Sequence, residues 1–95
     1  MIHIWATVEI GDLEKFVGVF ATAGARARRQ HGSRSSRVFA VPGDPSQVRV
    51  LFEWDSREAF EGFLNDPEVR ATMQSSGTVG RPDFLFLDAL ADLPG

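Results

Sequence analysis

From Ile2 to Ile10 the chain alternates, with Ile2, Ile4, Ala6, Val8 and Ile10 on one side and His3, Trp5, Thr7 and Glu9 on the other. A two-residue period predicts a strand with one buried face. Gly11 breaks the run, and Asp12 fits the N-cap of a helix. From there the apolar positions fall three and four apart: Leu13, Phe16, Val17 and Phe20, then Gly24 and Ala27. This spacing predicts one long amphipathic helix whose small residues allow close packing on a sheet. Arg26, Arg28, Arg29 and His31 load its last turns with positive charge, which suits a solvated helix C-terminus, and Gly32 is the expected stop.

Arg34 to Val41 reads as a second strand, P-G-D-P-S at 42–46 as a turn, and Gln47 to Trp54 as a third strand completing a hairpin. Val48, Val50, Phe52 and Trp54 share one face of that third strand; Arg49, Leu51 and Glu53 share the other. Asp55 with Glu58 has the spacing of a capping box. Ala59, Phe60, Phe63 and Leu64 then mark a helix face, and Asp66-Pro67-Glu68 restarts the helix with an N-cap and a proline at the first position. Val69 and Met73 continue the apolar face until Ser75-Ser76-Gly77 ends it. Asp83 to Leu87 is the last predicted strand.

The order β-α-β-β-α-β predicts an α+β fold, the ferredoxin-like sandwich, formed by residues 1–95 as one domain. Its helices can cover only one face of the sheet. The other face would carry His3, Trp5, Thr7, Glu9, Arg49, Leu51 and Glu53, with Leu85 and Leu87 if the last strand has matching parity. That surface is too apolar for a monomer to leave wet, so a second copy of the chain is the expected cover, giving a homodimer.

Composition narrows the functional classes. Eight Phe and two Trp supply a packed core, and a net charge of −3 gives no general attraction to nucleic acid or anionic membrane. With no Cys there are no disulfides, thiolate metal sites or cysteine nucleophile. No apolar run approaches a membrane span, and the first residues lack a signal-peptide pattern, so the expected location is cytoplasmic.

Several residues have the chemistry of a site. His3 and Trp5 share a strand face, where the imidazole could act as a general base beside an aromatic wall, or the pair could serve a dimer interface. Glu53 could pair with Arg49 or Arg37 and orient a ligand's polar group, or form a structural ion pair. Trp54, Phe60, Phe63, Met73 and Phe86 could be core, or could line a pocket for a hydrophobic small molecule. The basic run at 26–37 has no interleaved aromatics and reads as a solvated helix end. Two distant His do not make a metal site, and no glycine-rich phosphate loop follows a strand.

The segment G-D-P-S-Q-V-R-V-L-F-E-W-D-S-R-E-A-F-E-G-F-L-N-D-P-E-V-R, followed later by P-D-F-L-F-L, resembles small bacterial proteins of the dimeric α+β barrel superfamily. It is similar in particular to the antibiotic biosynthesis monooxygenase domain and its cyclase-like relatives. The resemblance implies sheet-to-sheet homodimers and a pocket between sheet and helices for a flat hydrophobic molecule. Glu53 and Trp54 match the acidic-plus-Trp signature at the end of the third strand. Phe63 stands where the haem-degrading branch has its ligating His, which implies no haem and no metal. The implied activity is a cofactor-independent enzyme acting on a polyketide-like polycyclic substrate by cyclisation, isomerisation or oxygenation; the residues' own chemistry makes His3, Glu53 and Arg37 the catalytic candidates and Trp5, Trp54, Phe60, Phe63, Met73 and Phe86 the candidate substrate contacts. The alternative is a non-catalytic dimeric module that binds a small ligand or supports another protein.

Overall fold

The computed structural model describes residues 1–95. Strand β1 (Ile2–Ile10) leads through Asp12, whose carboxylate accepts the Lys15 N–H, into helix α1 (Leu13–Val19). A π-helical turn (Phe20–Gly24) joins it to α2 (Ala25–Gln30). Strands β2 (Ser33–Val41) and β3 (Asp44–Trp54) form a hairpin. Helices α3 (Arg57–Asn65) and α4 (Pro67–Ser75) precede the last strand, β4 (Thr78–Leu87). The four strands pair antiparallel in the order β2-β3-β1-β4, the ferredoxin-like arrangement.

Strand parity decides what the helices cover. Ile4, Ala6 and Val8 of β1 and Val48, Val50, Phe52 and Trp54 of β3 are buried beneath them. Phe16, Phe60, Phe63 and Val69 close the core from the helix side. Trp54 is fully enclosed, and its Nε1–H donates to the His31 carbonyl at 3.0 Å, so the one polar atom of the indole is satisfied inside an apolar cluster. On the opposite face β1 and β3 place His3 across from Glu53, Trp5 from Leu51 and Thr7 from Arg49, while β4 adds Leu85 and Leu87.

Local details depart from the sequence pattern for identifiable reasons. The hairpin turn is tighter than the five residues expected. Strand pairing runs to Val41 and Asp44, leaving Pro42 and Gly43 as the two central residues, and Gly43 has φ +81°, as the second of these requires in a type II turn. Ser56, not Asp55, caps α3, its hydroxyl accepting the Ala59 N–H; Asp55 instead takes the Arg34 Nε–H at 2.6 Å. Strand β4 begins at Thr78, five residues earlier than expected, and its pairing with β1 shifts register between Thr7 and Glu9. Leu13 and Val17 are exposed, so they do not belong to the buried face of the first helix.

The largest departure is in that first helix. It is not one continuous α-helix, and Arg28 is not a solvated helix end: it is only 8% exposed. Arg28 lies twelve residues after Phe16, so an unbroken α-helix would place it roughly 120° from Phe16, at the edge of the apolar stripe next to Gly24. The wider π-turn takes back most of that rotation and aims Arg28 inward.

Between α3 and α4, Asp66 is extended and serves as N-cap, accepting the Glu68 N–H at 2.9 Å while its other oxygen meets His31 Nε2 at 2.9 Å. The His31 hydrogen bond, with help from the Glu68 N–H, holds the Asp66 carboxyl below the ordinary carboxylate value. A depressed folded-state pKa contributes stability that is present above the unfolded value and lost as pH falls through the folded one. Asp66→Asn should therefore melt below wild type at neutral pH, and the gap should narrow as pH drops past 3.8. Thermal melts of both proteins at stepped pH check this; a gap that widens with acid would contradict it.

Candidate functional site

A cavity of about 70 Å³ lies between the sheet and the helices, below the π-turn on one side and α3 and α4 on the other. Its walls are almost wholly apolar, with Phe16, Phe20, Phe52, Phe60, Phe63 and Phe84 as the aromatic part. The restart of the helix at Asp66 lets α3 and α4 each lend a short face to it, α3 through Phe63 and Leu64, α4 through Val69 and Met73. The polar side chains at the wall are Arg28, Thr72, Ser76 and Thr78. Ser76 Oγ donates to the Met73 carbonyl at 2.6 Å and lies 2.9 Å from Thr78 Oγ1, so the α4–β4 junction is internally satisfied. Arg28 is different. Its guanidinium carbon stands 3.7 Å from the Phe20 ring centroid, and no carboxylate lies within ion-pairing distance. Burial first, and the neighbouring Arg29 charge second, lower its pKa to about 10, so it stays cationic at neutral pH.

A wider cleft of about 440 Å³ adjoins the cavity, sharing Leu64, Met73, Thr78 and Phe84 as common wall and adding Asn65, Arg70, Gln74 and Arg81. Met73 therefore stands between a narrow apolar space and a broader polar one. A flexible thioether is well suited to yield at that position.

The residues singled out from sequence are divided by the sheet. Phe60, Phe63 and Met73 line the cavity. Trp54 and Phe86 sit on the same side but outside it, Trp54 sealed in the core and Phe86 packed on Phe60 with the Arg57 guanidinium 4.2 Å from its centroid. His3, Trp5, Arg37 and Glu53 lie on the opposite, helix-free face. There His3 Nε2 and Glu53 Oε1 are 3.2 Å apart, and Arg37 is two strands from His3, opposite Leu51. Within one subunit these polar groups cannot touch a ligand held in the cavity. Arg28 lines it, and the sequence reading missed it because its charge grouped it with Arg26 and Arg29 as a solvated helix end. No three His, Asp or Glu side chains cluster as metal ligands do.

The sequence matches the antibiotic biosynthesis monooxygenase family over residues 1–75. The chain belongs to that family. Among solved structures, it is similar to SnoaB from Streptomyces nogalater, described as a cofactor-independent oxygenase, with 18% identity, a TM-score of 0.78, and 99% of this chain and 97% of that one covered. A second family structure, an antibiotic biosynthesis monooxygenase, aligns at 14% identity and a TM-score of 0.73, covering 96% of this chain and 100% of that one. A protein from Bordetella bronchiseptica, provisionally given the same name, has 13% identity and a TM-score of 0.78, with 95% and 97% covered. No curated protein matches the sequence at a significant level. Identities this low carry the family's fold and leave its chemistry to be argued from the residues. No helix of the chain is long and apolar enough to cross a membrane.

Proposed function

We propose that this protein is a small oxygenase that works without a cofactor on a hydrophobic, polyketide-like polycyclic substrate bound between sheet and helices, in the cytoplasm. The observation that carries the reading is the aromatic-walled cavity with one cationic group and otherwise few polar atoms. Such a site, widened by movement of Met73 into the adjoining cleft, would hold a flat molecule, exclude water and favour the form of it that has lost a proton. Oxygenation without a cofactor needs that form, because the substrate must itself supply the electrons that dioxygen takes up. Cyclisation and isomerisation of the same substrate class also begin with movement of one proton.

The proposed assembly is a homodimer formed through the helix-free sheet face. Trp5 and Leu51 are only partly buried there, Leu85 is 58% exposed and Phe39 is 38% exposed, and the Trp5 and Phe39 rings stand 5.9 Å apart. A second copy would cover this patch, and His3, Glu53 and Arg37 would then face the space between two sheets.

A tricyclic anthrone, whose doubly activated methylene gives up a proton readily, is a direct probe. Dioxygen uptake with conversion to the quinone should exceed the uncatalysed rate in the presence of chelator and without added flavin or haem. No excess over the blank would sink the oxygenase reading. The size of the cavity favours a second reading, since about 70 Å³ is far below the roughly 300–1,000 Å³ of typical ligand pockets. A non-catalytic module that binds a smaller ligand would show saturable binding of an aromatic probe and no turnover of any.

A further inference from the structure

We infer that Arg28 is a ligand-binding residue, and that the molecule it selects is a flat apolar one carrying a single anionic oxygen, either a carboxylate or an ionised enol. This rests on the cavity being a binding site, as proposed above, and adds the chemical class of what enters it.

Arginine is seldom so deeply buried without a carboxylate, because an enclosed charge without an opposite partner is costly. Arg28 keeps only 8% of its surface exposed, and no acidic side chain reaches it. The Phe20 ring covers one face of the guanidinium, which offsets part of the cost of burial. That stacking does not use the N–H edge. No buried polar side-chain atom is fully sealed off without a partner, so those N–H groups are not wholly closed to an incoming acceptor. The side chain lines the cavity itself, among aromatic walls that offer no competing acceptor of comparable strength. A planar fork of donors beside an aromatic surface is matched by an anionic oxygen on a planar ring system.

The backbone is shaped around this side chain as well. The π-turn rotates Arg28 inward, and such turns often occur at functional sites. Gly24, at the end of the turn, leaves the room the guanidinium occupies: a Cβ there would stand 3.1 Å from Arg28 Nη1 and 3.1 Å from the Val19 carbonyl oxygen. A leucine at position 28 would fill the same space without the charge. A widened turn, a missing side chain and a stacked ring together hold a cation at the cavity wall.

Three naphthalene-sized probes test the inference by titration calorimetry at low salt: 1-naphthoate, 2-hydroxy-1,4-naphthoquinone as its enolate, and neutral 1-naphthalenemethanol. Wild-type protein should bind at least one anion about tenfold or more tightly than the alcohol. The preferred anion identifies the source of the charge. Arg28→Gln should bring that anion to within about twofold of the alcohol, both measured on the same variant. Should Arg28→Gln fail to fold, Gly24→Ala takes its place, since it displaces the guanidinium without removing it and should erode the same preference. Arg29→Gln, which removes an equal charge at an exposed neighbouring position, should retain it. Equal binding of anions and alcohol by wild type would overturn the role of Arg28 and leave the cavity reading intact. A preference surviving in both Arg28→Gln and Gly24→Ala would do the same. No binding of any probe would overturn both.

Discussion

Replacing Phe60 with alanine should cost about 3–5 kcal/mol of folding stability. Phe60 is fully buried and stands at the centre of the aromatic cluster, 5.0 Å from Trp54, 5.1 Å from Phe84 and 5.9 Å from both Phe52 and Phe86, measured between ring centroids. Truncation removes its own buried surface and the dispersion contacts of every ring around it. It also leaves a void continuous with the existing cavity, and surrounding rings fixed on β3 and β4 cannot all move in to fill it. A domain this small has only about 5–15 kcal/mol in total, so the mutant should unfold at a clearly lower urea concentration with a similar slope. A loss below about 1 kcal/mol would mean the cluster relaxes around the gap, and that it is looser than its ring distances indicate.

The second large effect concerns assembly. Leu85→Asp should convert the proposed homodimer to a folded monomer at micromolar concentration, as read by light scattering and circular dichroism. Leu85 faces away from the helices, 58% exposed in the single chain, and sits across from Trp5. In the isolated subunit an aspartate there meets water and should change stability little, within about 0.5 kcal/mol. In a sheet-to-sheet dimer it would be enclosed opposite an indole, with Asp83 two residues away on the same face and of the same charge. Burying an unpaired carboxylate in such a place costs several kcal/mol, enough to move dissociation by orders of magnitude. A mutant that remains dimeric would place the interface elsewhere, and a wild type that is already monomeric would remove the dimer proposal altogether.

Most of the fold was legible because its strands and second helix pair obey simple periods. The alternation from Ile2 to Ile10 predicts a strand, and its buried face matches the one observed; Val48 to Trp54 does the same for β3. Asp12, and Asp66 followed by Pro67, mark helix starts that the capping hydrogen bonds reproduce. What failed to show was what depends on a break in the period. A π-turn adds a residue within an otherwise regular pattern, and the composition Phe-Ala-Thr-Ala-Gly contains nothing that distinguishes it from ordinary helix. Arg28, by its charge, looked like one of several solvated cations. The candidate site was legible as a set of aromatic side chains and not as a place. Strand parity already separated His3, Trp5 and Glu53 from Phe60, Phe63 and Met73, since odd positions of β1 and β3 face away from the helices. The signal that could have drawn attention to Arg28 was Gly24, four residues before it, a small residue at a helix position where a long side chain folds back.

The two tryptophans lie on opposite faces of one sheet, and this makes the protein its own optical gauge. Trp54 is entirely enclosed, with its indole N–H held by the His31 carbonyl, whereas Trp5 is partly open to solvent beside Phe39. The chain has no tyrosine, so near-ultraviolet fluorescence excited above the phenylalanine band comes from these two indoles alone. Emission from Trp54 should stay blue until the core opens, because no water reaches its ring before then. Emission from Trp5 should respond to whatever lies over the helix-free face, and dissociation of the proposed homodimer on dilution should redden it while the core signal holds still. Single-tryptophan versions, with phenylalanine at one position or the other, would separate subunit dissociation from unfolding in the same cuvette and without any added dye.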